Sequence, residues 1–428
     1  MAREFLISKY REHESNHSWN ALFQNIQNLS DKQERSLKLS TRVAHSSQNV
    51  DKNRYRNVST YDCSRVRLQR TEDDQSDYIN ASPLCLPLAR RNYILTQGPL
   101  SSTCNDFWQM IWEQECTLIV MLNKVIERNS PKCHQYFPVD SNSECVFATF
   151  TVRLLSTNSF PHFIVRTLQL IATDDRMLDD DTEPARTLLH YQFISWPDFG
   201  VPHSSNVFIE FLEHVKATKR LEQPPPAVIH CSAGIGRTGA FVVVDSVLSM
   251  IEEKVSNVDV EQLVVKMRRY RMGLIQTPQQ LQFCWKTIVD ALLAREQTEK
   301  MPKTLETEEC APISNNVLVS GKPNGPHLNR SAGNQMTTGE KTKSLVDIPS
   351  FRKRSKEDGL GNEDDIKYAR RRQRIEEMRI RLRESERCHN RRSSFFLKSS
   401  PQTVVAVAFA VAAVVVVGTY LYRMTSSA

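Results

Sequence analysis

Residues 226–244 constrain the fold more than any other stretch of the chain. The apolar Pro226-Ala-Val-Ile229 leads into His230-Cys-Ser-Ala-Gly-Ile-Gly-Arg-Thr-Gly239, which leads into Ala240-Phe-Val-Val-Val244. A strand, a tight glycine-containing loop and a helix N-terminus in direct succession form a cup of backbone N–H groups at the positive end of a helix dipole, suited to an anion. The cup is sized for phosphate. Cys231 sits at its lip, where those amides and the nearby guanidinium stabilise a thiolate and make it a nucleophile at neutral pH. Arg237 can offer two parallel N–H donors to equatorial phosphoryl oxygens, a fork that lysine lacks. Cys-x5-Arg alone is a weak signal in a chain with 10 cysteines. The ten-residue string in its strand–loop–helix setting is a strong one.

The rest of the chain is organised around this unit. YILTQGP, ECTLIVMLNKV, FIVRTLQLIA, LLHYQFISW and PPAVIHC place β-branched and aromatic residues in runs bounded by turn formers, as buried strands do. NDFWQMIWEQE, NVFIEFLEHVKATKR, AFVVVDSVLSMIEEK and DVEQLVVKMRRYR repeat apolar residues at three and four, as helices do. Their interleaving predicts an α/β domain with helices packed on a central sheet, over residues 1–298. This region holds all 5 tryptophans. Residues 299–366 shift to Thr, Glu, Asn, Gly, Pro, Ser and Lys without a sustained period, which predicts a disordered linker.

Charge is concentrated near the C-terminus. Residues 367–392 carry eleven basic and four acidic side chains, which accounts for the whole formal net charge of +7. The remainder is neutral, so a nucleic-acid-associated protein has only this stretch to support it. The 10 cysteines show no Cys-x-x-Cys and no regular framework, and read as reduced cytosolic thiols. No cluster has metal-ligand spacing, so neither metal nor cofactor is expected. The N-terminus lacks a signal-peptide core.

The string 230–239 resembles the signature loop of the protein-tyrosine phosphatases. The likeness continues through Lys52-Asn-Arg-Tyr-Arg56, Asp77-Tyr-Ile-Asn-Ala-Ser82, Gln97-Gly-Pro99, Phe107-Trp108, Trp112, Trp196-Pro-Asp-Phe-Gly200 and Gln276-Thr-Pro-Gln-Gln280. Within that family it is most similar to non-receptor types 1 and 2. The resemblance implies a twisted mixed β-sheet flanked by helices. It implies hydrolysis of phosphotyrosine in proteins, receptor and cytoplasmic tyrosine kinases and their targets among them, through a phosphocysteine on Cys231.

The resemblance also assigns roles. Arg237 and the amides of Ser232, Ala233, Gly234, Ile235 and Gly236 hold the phosphoryl charge, where positioning and electrostatics supply most of the catalysis. Asp198 is the general acid and then the base, carried on a lid with Gly200 as hinge. Gln276 positions the hydrolytic water, supported by Gln280. Thr238 hydrogen-bonds the sulfur, where close relatives carry serine. His230 orients the loop, and Glu127 and Lys132 steady the arginine and the acid. Tyr55 walls a pocket deep enough to reject phosphoserine.

Three positions depart from the family pattern. Asn57 stands in place of an aspartate that grips the substrate backbone. Gln27 replaces an arginine beside Arg268, so a second phosphotyrosine should bind weakly. The linker lacks a dense Pro-x-x-Pro segment. A catalytically silent phosphotyrosine-binding module is disfavoured because Cys231, Arg237, Asp198 and Gln276 are all present. A thiolate at Cys231 predicts reversible oxidation to sulfenic acid.

Thr403 to Tyr422 is an uncharged run of 20 residues, about 30 Å as a helix and enough to span a bilayer core. With the basic 367–402 segment on its cytosolic side it predicts a membrane tail anchor that leaves the catalytic domain in the cytosol. Its moderate hydrophobicity favours the endoplasmic reticulum. The basic block competes as a nuclear import signal, which would place a form without the tail in the nucleus.

Overall fold

The computed structural model describes residues 2–70, 75–140, 143–174, 183–198, 200–222 and 224–300. The expected linker beyond Lys300, the basic segment 367–402 and the span 403–422 lie outside the described residues. Among the described residues no helix is long and apolar enough to cross a membrane.

Among the described residues ten strands form two sheets: β1 (Ala81–Leu86), β2 (Arg91–Thr96), β3 (Leu118–Met121), β4 (Ile126–Glu127), β5 (Ser130–Pro131), β6 (Glu144–Val146), β7 (Phe150–Ser159), β8 (Phe163–Ala172), β9 (Ala185–Phe193) and β10 (Ala227–His230). The main sheet has 8 strands in the order β1-β2-β10-β3-β9-β8-β7-β6, and β4 pairs with β5 alone. β10 is parallel to both β2 and β3, and β3 to β9, whereas β1 and β6 to β8 pair antiparallel. The sheet is therefore mixed, with helices on both faces, as the interleaved segments predict.

Buried parallel strands read as continuous apolar runs, because both faces are covered. Alternation then decides which face each residue meets. Tyr93, Leu95, Leu118, Val120, Ala227 and Ile229 join one core cluster. Ile94, Ile119, Met121 and Val228 join the other. The first core is completed by α1 (Ala2–Ser15), α2 (Trp19–Leu37), α4 (Ser205–Ala217), α5 (Gly236–Glu252), α6 (Val260–Met267) and α7 (Pro278–Lys300), the second by α3 (Cys104–Glu113).

The helix that matters most to the site is α5. Val242, Val243 and Val244 are each 0 % exposed; β-branched side chains disfavour a helix by a few tenths of a kcal/mol each, while full burial of each stabilises by about 2 kcal/mol. Burial wins. Asp245 on the same helix is 0 % exposed and takes Nε of Arg91 at 2.8 Å and the Tyr93 hydroxyl at 2.5 Å, which pins α5 to β2. The apolar patterning of the sequence marks α3 to α6 and β2, β3 and β8 to β10, and does not mark β1, β4 to β7, α1, α2 or α7; α7 runs to Lys300.

Candidate active site

β10 ends at His230 and α5 begins at Gly236, so residues 231–235 turn at the carboxyl end of a strand flanked by two parallel neighbours. Open α/β sheets place their ligands in such crevices. Gly234 has φ +71°, and a Cβ there would collide with the Thr96 carbonyl oxygen at the end of β2. Only glycine fits. The residue before α5 is Ile235, which makes no side-chain cap, so no side chain consumes the opening amides of the helix. Cys231 is 5 % exposed, and its Sγ accepts from Gly234 N–H at 3.3 Å and from Thr238 Oγ1 at 3.2 Å.

One residue that shapes this loop carries no motif of its own. Arg271, 0 % exposed, donates through Nε to Gly234 O at 2.7 Å and through Nη2 to Ala233 O at 3.1 Å and Asn80 Oδ1 at 2.9 Å. Those bonds fix the carbonyls of Ala233 and Gly234, and with them the peptide planes of the loop. Burial pulls the Arg271 guanidinium down to about 10, so it stays charged at neutral pH. In the sequence it closes a basic run that reads as helix, and its role depends on a loop more than thirty residues away.

Arg237 leaves α5 toward Glu127. Its Nη1 lies 2.7 Å from Glu127 Oε1 and its Nη2 2.8 Å from Oε2, and the same nitrogens donate to Leu122 O and Pro197 O, each at 3.1 Å. The two parallel donors that the sequence reading assigns to phosphoryl oxygens are thus bonded to a carboxylate in this structure. A half-buried guanidinium needs such partners. Nε is left without a hydrogen-bond partner among the described residues.

Pro197 and Asp198 lie on the same side of the loop. Asp198 Oδ1 is 2.9 Å from Lys132 Nζ, and this hydrogen bond holds its carboxyl below the usual aspartate range. Trp196, 4 % exposed, anchors the segment through Nε1 to Gly200 O at 3.1 Å, and Gly200 has φ +84°. Phe199 lies outside the described residues.

The opposite wall is Tyr55, 37 % exposed, whose hydroxyl lies 2.9 Å from Ser232 Oγ. Ser232 in turn donates to Lys132 O at 2.8 Å, tying wall, loop and lysine together. Asn57 is exposed on the following turn. Arg54 braces the base of that wall through Gly98 O at 2.9 Å and Pro99 O at 2.6 Å.

Gln276 reaches the cup because two glycines of α5 allow it. A Cβ on Gly239 would lie 2.6 Å from Ile275 N, and one on Gly236 would strike Gln276 Oε1. The Gln276 backbone N–H donates to Gln280 Oε1 at 2.9 Å. His230 is fully buried, and desolvation pulls it down to about 4, so it is neutral. Arg268 spends its donors on Gln27 Oε1 at 3.1 Å, Ser30 Oγ at 3.3 Å, Leu274 O at 2.9 Å and Ile275 O at 2.8 Å.

Among the described residues no group of three or more His, Cys, Asp or Glu side chains is placed to hold a metal ion.

A family model described as protein-tyrosine phosphatase matches residues 49–290. The mouse tyrosine-protein phosphatase non-receptor type 2 is 41% identical over 82% of this chain and 84% of its own length. The human protein of the same name is 37% identical over 90% of each chain. Fruit-fly tyrosine-protein phosphatase non-receptor type 61F is 38% identical over 64% of this chain and 49% of its own. With a cysteine–arginine loop of this geometry and relatives matched over most of its length, the chain belongs to the protein-tyrosine phosphatase family, in its non-receptor branch.

Proposed function

We propose that the chain hydrolyses phosphotyrosine in proteins by two displacements at Cys231. The thiolate attacks phosphorus in line, the P–O bond to tyrosine breaks, and Asp198 gives its proton to the leaving oxygen. Water held by Gln276 and Gln280 then attacks the phosphocysteine, Asp198 takes its proton, and the thiolate leaves with Thr238 donating to it. Arg237 and the amides of residues 232–236 carry the charge of the loose transition state. Arg237 binds phosphate through Nε–H and by exchanging its Pro197 bond, while Glu127 keeps the guanidinium plane fixed. The single observation that carries this reading is Cys231 Sγ held by two donors within a loop on which Arg237, Asp198, Lys132 and Gln276 converge.

Lys132 holds Asp198 as a carboxylate, whereas a general acid needs its proton. A phosphate dianion beside Asp198 supplies the difference, since a neighbouring negative charge raises a carboxyl pKa and competes for Lys132. Substrate binding thus loads the acid. Tyr55 stacks on the phosphotyrosine ring and sets the depth that excludes phosphoserine.

The remaining readings concern targets and location. Tyrosine kinases and their phosphorylated substrates fit the site's chemistry. The uncharged 403–422 run, preceded by the basic 367–402 segment and a 299–366 linker, supports a catalytic domain tethered at the cytosolic face of the endoplasmic reticulum. The test compares turnover of phosphotyrosine and phosphoserine peptides, with Cys231→Ser and Asp198→Ala beside wild type. Wild type should turn over only the former, Cys231→Ser should be silent, and Asp198→Ala should lose about 10²- to 10⁴-fold. An unchanged Asp198→Ala rate sinks the mechanism. Alkaline carbonate extraction of the full chain against one ending at 402 tests the anchor; release of both into the soluble fraction overturns it.

A further inference from the structure

Behind the signature loop, buried polar side chains from three elements line up on His230. Arg166 on β8, His190 on β9 and Tyr136 after β5 are 6 %, 0 % and 0 % exposed. Arg166 Nη1 donates to His190 Nδ1 at 3.4 Å and to Gln192 Oε1 at 3.0 Å. His190 Nε2 lies 2.9 Å from the Tyr136 hydroxyl, which lies 2.7 Å from His230 Nε2. His230 Nδ1 is 3.2 Å from the Cys231 carbonyl oxygen. The Arg166 guanidinium faces the Phe137 ring at 4.6 Å, and its Nε has no partner among the described residues. A buried cation held without a carboxylate is costly to keep.

The direction of every link follows from the cation. Arginine only donates, so His190 Nδ1 must present a lone pair and its proton sits on Nε2. That N–H meets the Tyr136 oxygen, which accepts and has one proton left to give. The acceptors within reach are His230 Nε2 at 2.7 Å and Met121 Sδ at 4.0 Å, and a thioether is the weaker. His230 Nε2 therefore accepts, its own proton sits on Nδ1, and this donates to the Cys231 carbonyl. In a trans peptide C=O and N–H point opposite ways, so fixing that carbonyl also fixes the Ser232 N–H, one of the amides of the cup.

We propose that Arg166 and His190 are positioning residues which, through Tyr136, lock His230 in its neutral Nδ1–H tautomer and so fix the Cys231 peptide. Burial and the Arg166 charge hold His190 well below the usual histidine range, consistent with both rings staying neutral. Other charged or titratable groups near His230 and Cys231 are Arg54 before β1, Cys104 opening α3, Cys133 after β5, Arg237 on α5 with its partner Glu127, and Arg271 after α6. None of them hydrogen-bonds the His230 ring among the described residues. The kinetic consequence rests on the reading of Cys231 as nucleophile; the tautomer assignment does not.

Nitrogen-15 NMR of the full chain with labelled histidine tests the assignment directly at neutral pH. His230 should carry its proton on Nδ1 and His190 on Nε2; the reverse at either ring overturns the proposal. The consequence is read from the pH of half-maximal Cys231 alkylation by iodoacetate. Arg166→Met and Tyr136→Phe should each raise it, with about tenfold less thiolate at a given pH below the midpoint. His190→Gln, whose amide can accept from Arg166 and donate to Tyr136, should stay near wild type, and His190→Met should not. Members of one chain are non-additive. The Arg166→Met/Tyr136→Phe pair should therefore shift no further than Tyr136→Phe alone. Folded single variants with an unmoved midpoint, or a double shift equal to the sum, overturn it. Where Arg166→Met does not fold, the two His190 variants carry the comparison. If wild-type Cys231 resists alkylation at every pH, the nucleophile reading fails while the tautomer result stands.

Discussion

Glu127 and Arg237 meet as two planar forks, Oε1 to Nη1 at 2.7 Å and Oε2 to Nη2 at 2.8 Å, on side chains only 5 % and 12 % exposed. The carboxylate takes two of the donors that phosphate could use. The contact orients the arginine: a guanidinium held at two points and at Leu122 O has one plane left to it.

Removing that carboxylate should loosen the arginine without removing it. Glu127→Ala is expected to lower kcat on a phosphotyrosine peptide by about 100-fold, the scale of a small misplacement at a reacting centre. Glu127→Gln keeps one acceptor and should lose less. Equal losses in the two variants would show that charge, not geometry, is what Glu127 supplies.

The Lys132–Asp198 pair makes a directional prediction about pH. Lys132 favours the charged carboxylate, so Lys132→Met should raise the Asp198 pKa. The acid then stays protonated to higher pH, and the alkaline limb of kcat/KM should move upward even as its maximum falls. A limb that stays put or moves down assigns it to another group.

Gly236→Ala separates the two chemical steps. The added Cβ would strike Gln276 Oε1 and crowd Gln280 Nε2 at 3.1 Å, both ends of flexible side chains, so the fold should survive. Phosphocysteine formation should persist while its hydrolysis slows, giving a burst of product followed by a reduced steady rate. Loss of the burst with an unchanged steady rate would contradict the assignment of Gln276 to the second step.

Acid should destabilise the domain through its buried histidines. His230 is held near 4 by desolvation against an ordinary value of 6.5, and His190 is held well below it. A depressed folded-state pKa means that the unfolded chain binds the proton first. The stability is therefore complete above pH 6.5 and is lost as pH falls toward 4. His230 alone contributes about 3 kcal/mol across that window. Urea unfolding at pH 7 and pH 5 should show the loss, and His190→Gln should reduce it.

Much of the geometry of the candidate site is legible in the sequence because it is local. The ten residues from His230 to Gly239 specify strand end, loop, helix start, cysteine and arginine in one short stretch of chain, and each step depends on near neighbours. Trp196-Pro-Asp and Gln276 were legible by resemblance, not by any physical pattern of their own. Arg271, Arg166, His190 and Tyr136 were not legible, because nothing near each in sequence distinguishes it from an ordinary strand, helix or loop residue. The helices α1 and α7 are weakly amphipathic and leave little mark in the sequence, whereas α2 does carry helical spacing in Trp19, Leu22 and Ile26.

The sequence by itself determined that a strand turns through a glycine-containing loop into a helix, with a cysteine at the turn and an arginine on the helix, since turn conformation and helix-end amides are properties of adjacent residues. Only the tertiary structure decided what surrounds that loop. A buried guanidinium must find acceptors wherever the sheet order brings them. That necessity joins Arg271 to Gly234, Arg237 to Glu127, and Arg166 to His230 through two intervening rings.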